Sequence, residues 1–81
     1  MEAKEMFEKL GFEIEYQSEE EGCIAYEKTV ESGKYQVFFE TSGEYFASAV
    51  SKYSGSRLPL WIEKDLHKAI NQQLKELGVK L

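Results

Sequence analysis

The sequence predicts an α+β fold. The expected form is a two-layer sandwich in the order α-β-β-β-β-α, a four-stranded antiparallel meander with both helices packed on one face. Three observations carry that expectation. Apolar residues recur at helical spacing at both ends of the chain, they alternate with polar residues in the segments between, and short Ser-Gly turns separate those segments. Two amphipathic helices laid over one apolar sheet face bury both layers. The 81 residues form a single domain, 1–81, with room for one core.

The first helix is expected from about residue 2 to 10. Ala3, Met6, Phe7 and Leu10 form its apolar stripe, while Glu2, Glu5, Glu8 and Lys9 face away. Gly11 ends it, and Phe12 can fold back on the last turn. FEIEYQ then alternates cleanly, with Phe12, Ile14 and Tyr16 on one side and Glu13, Glu15 and Gln17 on the other. SEEEG, residues 18–22, reads as an exposed turn. The next strands are CIAYEKTV, YQVFFET and EYFASAVS, separated by ESGK and TSGE. Treating Ser32-Gly33 and Ser42-Gly43 as two-residue loops sets the register. Val30 then faces Tyr35, Tyr26 faces Phe39, Ile24 faces Thr41, Phe39 faces Phe46 and Tyr35 faces Val50. Pairing Gln17 with Cys23 sets Tyr16 against Ile24 and Ile14 against Tyr26. One face thereby collects Phe12, Ile14, Tyr16, Ile24, Tyr26, Val30, Tyr35, Val37, Phe39, Phe46 and Val50. Beyond the break at Ser54-Gly55-Ser56, a second helical stripe runs through Leu58, Ile62, Leu66, Ile70, Leu74 and Leu77. Pro59 sits in its first turn and Gly78 closes it.

Charge and composition narrow the function. The net charge is −5, and it is unevenly spread. Residues 1–22 carry eight Glu against Lys4 and Lys9, whereas residues 52–81 carry five Lys and Arg57 against Glu63, Asp65 and Glu76. Such an acidic chain is a poor direct binder of nucleic acid, because that affinity comes from neutralising phosphates. Cys23 is the sole cysteine, so no internal disulfide can form, which fits a reducing compartment. No stretch approaches the roughly 20 apolar residues of a membrane span, and the N-terminus lacks the apolar centre of a signal peptide. The expectation is a cytoplasmic protein without membrane contact.

The opening AKEMFEKLGFEIEY and the closing EKDLHKAINQQLKELG resemble the two ends of small uncharacterised proteins of Gram-positive bacteria and their prophages. In those, a short helix leads into a strand and a terminal helix ends in ELG. Leu66, Ala69, Ile70, Gln73, Glu76, Leu77 and Gly78 carry the likeness at the C-terminus. The resemblance implies a fold and a phage-related origin, and it transfers no catalytic residue.

No catalytic or metal constellation emerges from the residues themselves. His67 is the sole histidine, with Glu63 four residues earlier on the same helix face. Cys23 falls on the strand face opposite the helices, so the sheet should separate it from His67. There is no CxxC, HExxH or glycine-rich phosphate loop, and no cofactor is expected.

The expected register instead draws attention to the sheet face that the helices leave bare. Glu13 falls opposite Glu27 there, and Glu15 opposite Ala25, with Glu40 on the other side of Ala25. Beside them Phe38 lies opposite Ala47, with Tyr45 next to Glu40. Carboxylates directly opposite one another destabilise a sheet, so the cluster reads either as a solubilising face or as a landing site for a basic partner. A third region, the loop 52–61, groups Lys52, Tyr53, Arg57 and Trp61. There Trp61 either closes the end of the core or contacts a partner. These residues predict a non-enzymatic protein-interaction module, monomeric or weakly dimeric, using the open face or the 52–61 loop. The alternative is an acidic phage-type inhibitor that mimics nucleic acid to block a DNA-binding protein.

Overall fold

A computed structural model describes residues 1–79. Its elements are α1 (Ala3–Lys9), β1 (Glu13–Ser18), β2 (Cys23–Val30), β3 (Gly33–Phe39), β4 (Tyr45–Ser51), β5 (Arg57–Pro59) and α2 (Lys64–Glu76). The strands form one antiparallel sheet in the order β1-β2-β3-β4-β5. Both helices contribute to a single core on one face of it. The α+β sandwich is as expected, with one strand more.

Helix ends follow the sequence closely. Phe12 N–H donates to the Phe7 carbonyl (2.9 Å) and Gly11 N–H to that of Glu8 (3.0 Å). Val79 and Gly78 make the same pair of bonds to Leu74 and Lys75 at the end of α2, each 3.0 Å. This double closure satisfies carbonyls the helix would leave orphaned, and it explains why EKLGFE and KELGVK look alike. At the other end of α2, Glu63 accepts from the Leu66 N–H at 2.9 Å. Glu63 therefore caps the helix instead of pairing with the ring of His67. The first N–H of α1 is served from a distance, since Ala3 N–H donates to the Glu76 carboxylate at 2.7 Å. That bond ties the start of the chain to the end of α2.

The core is aromatic. Phe7 of α1 stacks on Tyr26 of β2 at 3.9 Å and 13°, and meets Phe12 and Phe39 edge-on at 5.7 and 6.2 Å. From α2, Leu66, Ala69, Ile70 and Leu74 complete the cluster. The one polar link inside it runs from the Tyr26 hydroxyl to Gln73 Oε1, at 2.6 Å. Burial, reinforced by the carboxylates of Glu76 and Glu8, pushes the Tyr26 phenol well above its ordinary 10.0.

Three register features depart from expectation, with unequal consequences. Between β2 and β3, Val30 pairs with Gly33, so Glu31 and Ser32 form the loop. Tyr26 then faces Val37 and Ile24 faces Phe39. Gly33 is drawn out of the turn and into β3, where a Cβ would run into the Val50 carbonyl of β4. The shift is two residues, so every side chain keeps its face. Between β3 and β4 the loop is Thr41-Ser42-Gly43. Gly43 N–H donates to the Glu40 carbonyl (3.1 Å), and Gly43 takes a left-handed φ of 88° that L-residues resist. That is one residue longer than the loop expected from sequence, and it inverts β4. Phe46 now pairs with Phe38, and Tyr45 with Phe39. Phe46 and Val50 therefore leave the helix side, while Tyr45, Ala47 and Ala49 join it. The third feature is a bulge at Glu15 in edge strand β1. Glu13 still faces Glu27 and Ile14 still faces Tyr26, but Tyr16 faces Ala25 in place of Ile24.

The start of α2 is also corrected. Leu58 and Ile62 are not part of its stripe: Leu58 lies in β5 opposite Ala49, and the helix begins only at Lys64. A residue before proline is pushed towards extended backbone, and proline is tolerated on an edge strand because no N–H is required there.

Candidate functional site

The sheet face away from the helices carries the candidate site. Across it runs a row of paired residues, Tyr16–Ala25–Phe38–Phe46, one from each of the four long strands. The side chain of Ala25 is short, so its position is a low floor between two rings. Tyr16 and Phe46 are about half exposed, at 47% and 51%, and Ala25 is buried at 6%. The rings of Phe38 and Phe46 lie 5.5 Å apart at 32°. These residues, with Glu15, Gln36 and Arg57, line an open groove of about 600 Å³.

A polar line flanks the aromatic row. Gln36 Nε2 donates to Glu15 Oε2 at 2.7 Å, and Arg57 Nη1 donates both to Gln36 Oε1 at 2.9 Å and to Ser48 Oγ at 2.7 Å. Gln36 thus sits between a carboxylate leaning in from β1 and a guanidinium leaning in from β5. The result is a fixed dipole lying across the strands. Lys34 adds a second positive charge, 3.6 Å from Glu27 Oε2 and 4.0 Å from Glu15 Oε1. Its ammonium bridges Glu27 of β2 and Glu15 of β1, and this positive charge beside Glu27 offsets part of the repulsion that the Glu13–Glu27 pairing implies. Being about two-fifths exposed, it contributes no more than about 1 kcal/mol to stability.

Of the residues singled out from sequence, Glu13, Glu15, Glu27, Phe38 and Arg57 do share this face. Arg57 arrives there by way of β5, pairing with Val50, and not as part of a loop beside Trp61. Tyr45 does not belong to it: the inversion of β4 turns its ring towards Phe39, 5.7 Å away on the helix side. Ala47 is lost from the patch for the same reason. Glu40 is exposed in the β3–β4 connection, where its N–H donates to the Glu44 carbonyl (2.9 Å). Phe38 takes the place beside Ala25 that Glu40 was expected to hold.

Trp61 is set apart from this site. It lies in the segment between β5 and α2 and is 94% exposed, so it does not close the end of the core. It borders a smaller hollow of about 220 Å³ on the helix side, with Leu10, Phe12, Lys28, Tyr35 and Leu60 among its neighbours.

Tyr16, Lys34, Phe46 and Ser48 are members of the site that the sequence reading did not assign to it. For Phe46 and Ser48 a signal existed, because Thr-Ser-Gly suits a three-residue loop with glycine in its last position. For Tyr16 there was none, since an alternating strand gives no notice of a bulge.

Cys23 stands beside the β1–β2 turn, with its Sγ 3.8 Å from the Glu21 carbonyl oxygen. His67 is exposed on α2, across the sheet, where its Nε2 lies 3.3 Å from Asn71 Nδ2. Among the described residues, no group of three or more His, Cys, Asp or Glu could hold a metal ion. Among the same residues, no helix is long and apolar enough to cross a membrane. No protein-family model, curated protein or solved structure matches the chain.

Proposed function

We propose that the protein is a non-catalytic binding module and that the open sheet face is its contact surface. One observation carries this reading: three aromatic side chains, Tyr16, Phe38 and Phe46, stand on a face that none of the described elements covers. Scattered exposed apolar residues are ordinary on any protein. A contiguous aromatic row with a polar flank has the composition of an interface centre, where aromatic residues and Arg contribute most of the binding energy.

The mimicry alternative fits this face less well. A nucleic-acid mimic needs rows of uncompensated negative charge, whereas Lys34 and Arg57 interleave with the glutamates here. The loop around Trp61 supports a second reading, because a tryptophan 94% exposed is a typical anchor residue.

Comparative capture tests the assignment. Wild-type protein, Phe46→Ser and Trp61→Ala are used as baits against a lysate of the source cells, after circular dichroism confirms that all three fold. Loss of the retained partner with Phe46→Ser, together with its retention by Trp61→Ala, supports the open face. The opposite pattern moves the contact to the loop.

A further inference from the structure

We propose that the occupant of the open face is a second copy of this chain, packed sheet against sheet about a two-fold axis that runs along β3. The inference rests on the reading of the open face as a contact surface and names its partner.

Two independent features of the face match their own images under that axis. Such a rotation keeps position along the strands and exchanges the two sides of the sheet, so β2 of one copy lies over β4 of the other. In the aromatic row this places the ring of Phe46, 51% exposed, over the low floor at Ala25 between Tyr16 and Phe38 of the other copy. A projecting ring meets a slot, twice. In the polar line the same rotation reverses the Glu15–Gln36–Arg57 dipole. Each Glu15 carboxylate then lies over the Arg57 guanidinium of the other copy, with the two Gln36 side chains near the axis. Among the described residues Arg57 spends only Nη1, on Gln36 and Ser48, which leaves donors of its planar fork for a carboxylate from outside. An in-plane axis running across the strands instead lays each strand over its own image: placed on the aromatic row it leaves the Ala25 slots facing each other empty, and placed on the polar line it sets Glu15 over Glu15. Charge and shape select the same one of the two arrangements. An isologous contact demands this kind of self-complementarity.

The size of the face sets the strength. Strands of six to eight residues at ~3.4 Å per residue, spaced ~4.8 Å apart, present on the order of 500 Å² per copy. Stable interfaces bury about 800 Å² per partner. The dimer is therefore a weak one, populated in the micromolar to millimolar range.

Sedimentation equilibrium of the full chain over that range provides the test. Wild-type protein is expected to pass from monomer to dimer with rising concentration. Glu15→Arg alone and Arg57→Glu alone should each weaken association by tenfold or more, because each faces like charge with like. Mixing the two variants in equal amounts should restore the dimer, since a mixed pair has opposite charges at both crossings. That recovery also demonstrates that both variants are folded. Phe46→Ser should weaken association to a similar degree. Wild-type protein that stays monomeric at millimolar concentration, or a mixture that stays monomeric, overturns the self-association while leaving the open face available to another partner. A dimer unaffected by any of the three substitutions overturns both the partner and the face.

Discussion

Phe38 and Phe39 are neighbours in the chain and point to opposite faces of β3, where their surroundings share little. Phe39 is fully buried, edge-on to Phe7 and Tyr26 beneath the helices. Phe38 is half-buried against Phe46, beside a polar line and open to whatever approaches. The covered face spends its aromatic residues on the fold: rings pack on rings, and the buried Tyr26 hydroxyl is hydrogen-bonded to Gln73. The open face has comparable aromatic content with no helix to cover it. The same residue type one position apart therefore does different work, and the difference lies in what covers it rather than in the residue.

The sharpest way to break this comparison is to truncate the covered side. Phe39→Ala should destabilise the protein by about 3–5 kcal/mol, because it removes a fully buried ring that its neighbours cannot replace. Urea unfolding measures the loss, and a change below about 1 kcal/mol would mean that the two faces differ less than their packing implies.

Next in size is Tyr26→Phe, which keeps the ring and deletes the hydroxyl. Gln73, 5% exposed, then loses the hydrogen-bond partner of its Oε1, at a cost of about 1–3 kcal/mol. The same residue gives the fold an alkaline limit. Its phenol is held above the ordinary value of 10.0, so below that pH it is neutral in both states and its contribution is fully present. As pH rises past 10.0, the unfolded phenol releases its proton while the folded one keeps it, and stability falls. Denaturation series from neutral to strongly alkaline pH should show that decline, and Tyr26→Phe should make it shallower.

On the open side the expectation reverses. Phe46→Ser, in dilute monomeric protein, should cost only about 1 kcal/mol, since half of the ring is already in water and the rest packs on Phe38 alone. A loss of 2 kcal/mol or more would show that the open face serves the fold after all.

The smallest effect is spectroscopic. Trp61, 94% exposed, should emit at the wavelength of water-exposed indole in the native protein and shift little on unfolding. A blue-shifted native emission would return it to the core end, where the sequence alone had made a place for it.

How much of this was legible beforehand follows from the range over which each feature is decided. The C-terminal ends of the helices, the order of the elements apart from β5, and the helix-side membership of Phe12, Ile24, Tyr26, Val37 and Phe39 depend on local periodicity and capping, and residues 1–79 contain those signals within a few positions of where they act. Even the two-residue error at Glu31-Ser32 did no harm, because faces repeat every second residue. The site was less legible because it depends on single-residue decisions. One extra residue in the Thr41-Ser42-Gly43 loop and one bulged residue at Glu15 moved Phe46 and Tyr16 to the open face and took Tyr45 away from it. A local pattern cannot resolve a choice of one residue when both answers leave an alternating strand. β4 reads as apolar on either side, with Tyr45, Ala47 and Ala49 on one and Phe46 and Val50 on the other. By itself, then, the sequence determined that there would be a two-layer sandwich with one bare sheet face. Which residues stand on that face was decided only by tertiary structure, because loop length and edge-strand bulging are settled by how the strands pair, and every side chain beyond them turns over together.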